Sequence, residues 1–162
     1  MTPEEQKKTY PPFLVKEFEK CREEIRIEEK TGKSIPYHPT KITDFLPLIH
    51  CVWKISNKEY QEKFLGKQGQ WGDNFMETME TFIGDSEGVL EARDAGRVKM
   101  TDKQRDMLKN LYDMIDIFED DPETPEDLGY GENDAAIVND PKWHKVREYA
   151  KLVYMELTGD KI

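Results

Sequence analysis

The apolar spacing of residues 107–118 constrains the fold more than any other feature of this sequence. Large apolar side chains recur there at helical spacing: Met107, Leu108, Leu111, Ile115 and Phe118. That spacing places them on one face of an α-helix, and this face must be buried. Thr101 and Gln104 form a capping box that marks the start of the helix. The segment therefore predicts an amphipathic helix, and this helix leads into the most acidic stretch of the chain.

The N-terminal part of the chain predicts one long amphipathic helix. Its apolar residues repeat at intervals of four and three: Leu14, Phe18, Cys21 and Ile25. Prolines 11 and 12 are tolerated in the first turn of such a helix. The pattern reaches about Thr31, and Gly32 is a natural C-terminal cap. Residues 2–9 are polar and charged, and we expect them to be frayed.

The densest apolar run, residues 45–55, predicts a central buried helix. It has apolar side chains on every side, which is typical of a helix surrounded by others. Pro47 fits the first turn of a helix that begins near Thr43 or Asp44. The two prolines of the 33–40 segment predict a loop before it.

The remaining helices are predicted from their caps. Ser56 and Glu59 read as a capping box, and Asp73 or Asn74 caps a helix that should end at Gly84. A short segment should then run from Ser86 to Gly96. The pair Asp140-Pro141 opens a last helix, which continues to Gly159. Between the first and second of these starts, residues 66–72 read as a glycine-rich corner that contains Trp71.

The predicted architecture is a single all-α domain over residues 1–162, an irregular bundle of about six helices. Alternation of period two is missing throughout, so no strand pair is predicted. Residues 119–139 are expected to form an acidic loop. Cys21 and Cys51 lie singly within apolar helical patterns, which favours free thiols in a reducing compartment over a disulfide. No apolar run is long enough to span a membrane, and a cytoplasmic location is expected.

The negative charge of the chain is concentrated in one stretch. The net charge is −10, from 34 acidic and 24 basic residues. Residues 113–140 hold eleven of the acids and no Lys or Arg, and the remainder of the chain is balanced at 23 acids against 24 bases. A localised negative field attracts basic proteins and repels nucleic acid and anionic membranes. The sequence pI near 4.9 also argues against nucleic-acid binding.

No catalytic or metal-binding signature accompanies this charge. His38, His50 and His144 lack the tight ligand pairing of a zinc site. The Gly-rich corner lacks the spacing of a phosphate-binding loop, and prolines interrupt the acidic stretch where a calcium loop needs ligands. We therefore expect no metal, no cofactor and no enzymatic activity.

One enzyme alternative stays open. Carboxylates on two predicted helices could hold Mg²⁺ against nucleotide phosphates: Glu23, Glu24, Glu28, Glu77 and Glu80. This arrangement resembles that of the all-α nucleotide pyrophosphohydrolases of the MazG type, which pair Glu-Glu-x-x-Glu with Glu-x-x-Asp. The present spacings, Glu-Glu-x-x-x-Glu and Glu-x-x-Glu, depart from that motif in both halves.

The leading hypothesis is a protein-binding module. In size, acidity and helical character the chain resembles small cytoplasmic immunity proteins of bacterial toxin systems, although no specific motif carries the resemblance. It implies that acidic residues cover the basic cleft of a nuclease-type toxin, with the protein a monomer or a dimer. Leu128 and Trp71 could add contact area. The residues expected at the interface are Asp113, Asp116, Glu119, Asp120, Asp121, Glu123, Glu126, Asp127, Tyr130, Glu132 and Asp134. A DNA-mimic inhibitor of a DNA-binding protein would share this acidic surface and is the other alternative.

Overall fold

A computed structural model describes residues 2–64, 73–124 and 134–162. These ranges contain eight α-helices and no β-strand, so the all-α prediction is confirmed and the helix number exceeds the predicted six. A short 3-10 turn, Ile42–Asp44, precedes the third helix. The helices are α1 (Pro3–Thr9), α2 (Pro12–Thr31), α3 (Leu46–Ser56), α4 (Lys58–Phe64), α5 (Phe75–Asp94), α6 (Asp102–Asp120), α7 (Asp134–Val138) and α8 (Pro141–Thr158).

Helix α3 lies at the centre of the bundle, as the apolar run predicted. It packs against α8 on one side and α5 on another, while α6 packs against both α5 and α8. Trp53 of α3 and Trp143 of α8 are almost completely buried, at 1% and 0% exposure. Because neighbours surround α3, apolar side chains on all of its faces lose contact with water, which is the main stabilising contribution in a core.

Helix α6 follows its sequence pattern closely. Thr101 accepts a hydrogen bond from the Gln104 N–H, and the Gln104 side chain accepts one from the Thr101 N–H, so the predicted capping box is present. The four apolar residues of its inner face are fully buried: Leu108, Leu111, Ile115 and Phe118. The amphipathic pattern therefore placed this helix correctly against the core.

Helix α5 is continuous, whereas the sequence predicted a break at Gly84. A glycine in a helix interior costs only about 1 kcal/mol relative to alanine. The flanking Phe82, Ser86 and Val89 are buried, so packing against α3 and α6 holds the helix together across Gly84. Tertiary packing thus outweighed the local stop signal.

The start of α4 also differs from the prediction. Ser56 was expected to cap this helix, but it is the last residue of α3, where its hydroxyl donates to the Trp53 carbonyl oxygen. The side chain of Asn57 accepts a hydrogen bond from the Tyr60 N–H instead. Asparagine is among the best capping residues, so the start of α4 moved by one residue.

The N-terminal region departs from the prediction at both of its ends. Residues 3–9, expected to be frayed, form α1, because Thr2 and Glu5 make a reciprocal capping box. At the far end of α2, Ile25 is 53% exposed although the pattern placed it inward. Leu14 is the only fully buried residue among those of α2, so this helix touches the bundle mainly through its first turns.

The acidic stretch is more regular than the predicted loop of residues 119–139. Helix α6 extends through Asp120, and α7 begins at Asp134. Residues 121–124 form a turn, in which the Thr124 N–H donates to the Asp121 carbonyl oxygen. The carboxylates at the end of α6 therefore stand on a rigid helix.

Candidate protein-binding face

Helices α5 and α6 together present a continuous set of carboxylates, which we call the acidic face. The two helices run antiparallel, because the Tyr112 hydroxyl of α6 donates to Glu87 of α5 while Glu119 lies close to Glu80. The acidic half of α6 is thereby placed beside the first half of α5. The members of the acidic face are Glu77, Glu80 and Glu87 of α5 with Asp116, Glu119 and Asp120 of α6.

No Lys or Arg lies in the parts of the two helices that carry this face, and Lys109 of α6 lies at its edge, with Nζ 4.8 Å from the centroid of the Tyr112 ring. Residues 75–92 and 110–123 contain eleven acidic residues and no Lys or Arg. Within the described ranges, none of the six carboxylates of the acidic face forms an ion pair. Its negative field therefore reaches solvent from carboxylates that are not neutralised by an ion pair within the described ranges.

The crowding of charge changes the pKa of groups within the face. Partial burial, together with the charges of Glu80, Asp116 and Asp120, raises the pKa of Glu119. The hydrogen bond to Glu87 and the surrounding carboxylates raise the pKa of Tyr112 to about 12. A cation that approaches these carboxylates reduces the repulsion between their like charges. The arrangement therefore favours a positively charged ligand.

The same two helices also carry exposed apolar side chains. Ile117 of α6 is 70% exposed, next in sequence to Asp116, and Met76 at the start of α5 is 37% exposed. A charged surface that also carries accessible aliphatic groups can both attract a partner and bury apolar area against it. Helices α5 and α6 therefore carry both components of a protein interface.

Three of the carboxylates predicted at the interface are neutralised within the chain. Lys109 Nζ lies 2.6 Å from Asp113 Oδ1. Lys142 Nζ lies 2.6 Å from Asp121 and 3.1 Å from Glu123. The hydrogen bond from Lys142 lowers the pKa of Asp121, as expected for a paired carboxylate. These three residues flank the acidic face but contribute less free charge to it.

Asp134, also predicted at the interface, lies inside the protein. It is 1% exposed, and its Oδ2 accepts a hydrogen bond from the Phe75 N–H at 3.2 Å. Asp134 therefore ties the start of α7 to the start of α5 and is removed from the set of surface contacts. Four other predicted contacts lie outside the described residues, as does the 66–72 corner with Trp71: Glu126, Asp127, Tyr130 and Glu132.

The α5 carboxylates of the acidic face were missing from the predicted interface. Glu77 and Glu80 were considered only as metal ligands, and Glu87 was not singled out. Their membership depends on the antiparallel pairing of α5 with α6, which no local sequence pattern encodes. The one available signal was the absence of Lys and Arg from residues 75–92.

The carboxylates of the hydrolase alternative do not assemble. In the part of the chain that the structure describes, no group of three or more His, Cys, Asp or Glu side chains is placed to hold a metal ion. This includes the Glu23–Glu28 segment of α2 and the α5 pair Glu77 and Glu80. The same ranges hold no helix that is both long enough and apolar enough to cross a bilayer.

The partly buried histidine and the buried cysteine of α3 take part in core packing. His50 Nε2 lies 2.9 Å from the Tyr10 hydroxyl, and burial, with the nearby charge of Lys54, lowers the pKa of His50 to about 3. Burial raises the pKa of the Cys51 thiol to about 12. A thiol that stays protonated at neutral pH is a poor nucleophile. Both cysteines are free, and Cys21 is only partly buried.

Comparison of the chain with protein families, with curated proteins and with solved structures finds no match in any of the three.

Proposed function

We propose that this protein binds a basic protein partner through the acidic face and thereby inhibits it. The observation that carries the proposal is the pairing of two helices into one surface with six carboxylates, none of which forms an ion pair within the described ranges. In the form that the sequence suggested, the partner is a nuclease-type toxin and the present chain is its immunity protein.

The chemistry of a nuclease cleft is complementary to this surface. Such a cleft binds phosphates through Lys and Arg side chains. Carboxylates on a helix pair can bind the same Lys and Arg side chains and so exclude the nucleic acid. Complementary charge also raises the association rate, up to about 10⁸–10⁹ M⁻¹s⁻¹ at low salt. Rapid capture is what a cell needs from a protein that neutralises a toxin.

Charge alone rarely gives tight binding, and exposed apolar side chains supply the rest of the binding energy. Ile117 and Met76 are accessible, and the Tyr112 hydroxyl of α6 donates a hydrogen bond to Glu87 of α5. Aromatic and aliphatic anchors at the centre of an interface contribute most of its binding energy, while the surrounding charges exclude water and select the partner.

The test uses charge reversal at two members of the acidic face, Glu80→Lys with Asp116→Lys. The matched control, Glu4→Lys with Glu29→Lys, makes the same change in net charge at exposed positions of α1 and α2. Each protein is used as bait in extracts of the source cell, with the product of the neighbouring gene added, and bound nucleases are assayed on RNA and DNA.

We expect the parent and control baits to retain one basic protein and to inhibit its nuclease activity, and the reversed bait to lose both. Binding should weaken as salt rises, because exposed charges are screened within about 8 Å at physiological ionic strength. Retention of the same partner by the reversed bait would remove the acidic face from the interface. A captured basic protein without nuclease activity would exclude the toxin-immunity form of the proposal.

A further inference from the structure

A groove that α5 borders together with α2 and the 35–48 segment contains features that the acidic face does not use. One part, with a volume of about 470 Å³, is lined by α2 and the 33–47 segment, including Cys21, Pro36 and Pro47. A second part, of about 330 Å³, lies between Phe45 and α5. Tyr37 belongs to the lining of both parts, so we call the whole depression the Tyr37 groove.

Tyr37 is held in an exposed position at the junction of the two parts. Its side chain is 66% exposed, yet its hydroxyl donates a hydrogen bond to the Asp44 carbonyl oxygen at 2.9 Å. Asp44 is itself fixed, because its carboxylate accepts hydrogen bonds from the N–H groups of Thr40 and Lys41. An aromatic ring that is exposed and already positioned loses little conformational entropy when a ligand packs against it.

Two glycines form the α5 wall of the groove. Gly84 and Gly88 lie within the helix, where glycine is less favourable than any residue except proline. A Cβ atom at either position would meet no other atom within 4 Å, so packing within the described chain does not require glycine there. Larger residues at these positions would narrow the second part of the groove, which both glycines line.

The charges around the groove indicate a cationic occupant. Its lining includes the carboxylates of Glu17, Glu24 and Asp85 with one lysine, Lys20. Across the described ranges, none of these three carboxylates forms an ion pair. Asp85 is partly buried, which raises its pKa. A Lys or Arg side chain that entered the groove would find carboxylates on both walls.

We propose that the Tyr37 groove binds a short basic segment of the partner protein, in which Lys or Arg residues flank one apolar side chain. The apolar side chain packs against Tyr37 and over Gly84 and Gly88, and the cations reach Asp85 on one wall and Glu17 or Glu24 on the other. This inference rests on the proposed function, because α5 carries both surfaces: its Glu80 and Glu87 belong to the acidic face, and Gly84 lies between them at the edge of the groove.

The first step of the test identifies peptides without the partner. A random peptide library displayed on phage is selected on the full chain, and enriched peptides are synthesised and titrated by fluorescence anisotropy. We expect sequences with at least two Lys or Arg residues around an aliphatic or aromatic residue. No enrichment, or enrichment of uncharged or acidic sequences, would overturn the proposal.

The second step locates the binding site. Gly84→Leu and Gly88→Leu should each weaken the selected peptide about tenfold or more, which corresponds to about 1.4 kcal/mol, while the helix stays folded because leucine is a better helix former than glycine. Ala95→Leu places the same side chain at the exposed residue that caps the C-terminus of α5 and should leave binding unchanged. Asp85→Asn should weaken the peptide several-fold and reduce the salt dependence of its binding.

Comparison of the leucine variants with the charge-reversed variant distinguishes failure of this inference from failure of the proposed function. Peptide binding that survives both leucine variants but is lost in Glu80→Lys with Asp116→Lys would place the peptide on the acidic face and overturn the groove assignment alone. Peptide binding lost in the leucine variants, together with partner capture unaffected by the same charge reversal, would support the groove and overturn the acidic face.

Discussion

The partly buried His50 leads to a definite prediction about stability and pH. Its ring lies among those of Tyr10, Phe18 and Trp53, with centroid distances of 5.1, 5.1 and 6.3 Å. Burial, followed by the positive charge of Lys54, lowers the pKa of His50 from 6.5 to about 3, and Asp73 opposes this only in part. The folded protein therefore keeps His50 neutral at pH values where the unfolded chain protonates it.

The sign and the size of the effect follow from this difference. A lowered pKa in the folded state means that its contribution to stability is complete above pH 6.5 and is lost progressively as the pH falls from 6.5 to about 3. Each pH unit within that window costs about 1.4 kcal/mol. Between pH 7 and pH 5, His50 alone should therefore lower the free energy of unfolding by roughly 2 kcal/mol.

The variant that isolates this contribution is His50→Phe. It keeps an aromatic ring in the cluster and removes the titrating group, along with the hydrogen bond to the Tyr10 hydroxyl. Urea denaturation, followed through the fluorescence of the buried Trp53 and Trp143, gives the free energy of unfolding at pH 7 and pH 5. The free energy of unfolding of the parent minus that of the variant should be about 2 kcal/mol smaller at pH 5 than at pH 7.

A matched control is Phe18→Leu, which removes a neighbouring ring and leaves His50 in place. The loss in free energy of unfolding that Phe18→Leu causes relative to the parent should be the same at both pH values. If the difference between His50→Phe and the parent is also the same at both pH values, His50 binds its proton equally well in the folded and unfolded protein, and the burial argument fails. Nuclear magnetic resonance of the His50 ring provides a second readout in the parent itself, where the neutral form should persist well below pH 6.

Two further predictions concern α5. Gly84→Ala should raise the free energy of unfolding by about 1 kcal/mol, because the helix gains propensity and an added Cβ meets no atom within 4 Å; urea denaturation would measure it, and no gain would mean that the helix is not continuous there. Asp73→Ala should lower the free energy of unfolding by about 3–5 kcal/mol, because Lys54 Nζ lies 2.9 Å from Asp73 with both side chains largely buried. The exposed pair Lys58 and Glu62 gives the control, since Glu62→Ala should cost less than about 1 kcal/mol.

Sequence reasoning succeeded where the signal is local. The capping box of α6 lies within four residues, and its apolar face needs only the helical period, so both the start and the inward face of α6 were predictable. The central position of α3 followed from the number of its apolar residues. The C-terminal cap of α8 at Gly159 has a positive φ of 81°, which glycine adopts without a side-chain penalty.

The predictions that failed depended on contacts distant in sequence. Gly84 was expected to end a helix, but the packing of Phe82, Ser86 and Val89 carries α5 past it. Asp134 was counted as surface charge, although it accepts a hydrogen bond from Phe75, which is 59 positions away. The acidic face requires the antiparallel alignment of α5 with α6, and residue periodicity within one helix contains no information about its neighbour.

The buried polar contacts at the start of α5 bear directly on how the acidic face would work. Asp73 accepts hydrogen bonds from Tyr60 at 2.5 Å and from Thr78 at 3.1 Å. Although burial alone raises the pKa of Asp73, the charge of Lys54 and these hydrogen bonds hold it below the usual value, so the carboxylate stays ionised and paired.

Asn74 caps α5, and the carboxylate of Asp134 accepts a hydrogen bond from the Phe75 N–H. Together with the contacts of Asp73, these bonds tie the first turn of α5 to α3, α4 and α7. Glu77 and Glu80 therefore project from a fixed helix end. A surface whose carboxylates are fixed before binding loses little conformational entropy on association. Asp73→Ala should consequently slow capture of a basic partner, even under conditions where the variant is fully folded, whereas Glu62→Ala should not. Equal association rates for the two variants in stopped-flow measurements would show that the anchoring of α5 stabilises the fold and contributes nothing to recognition.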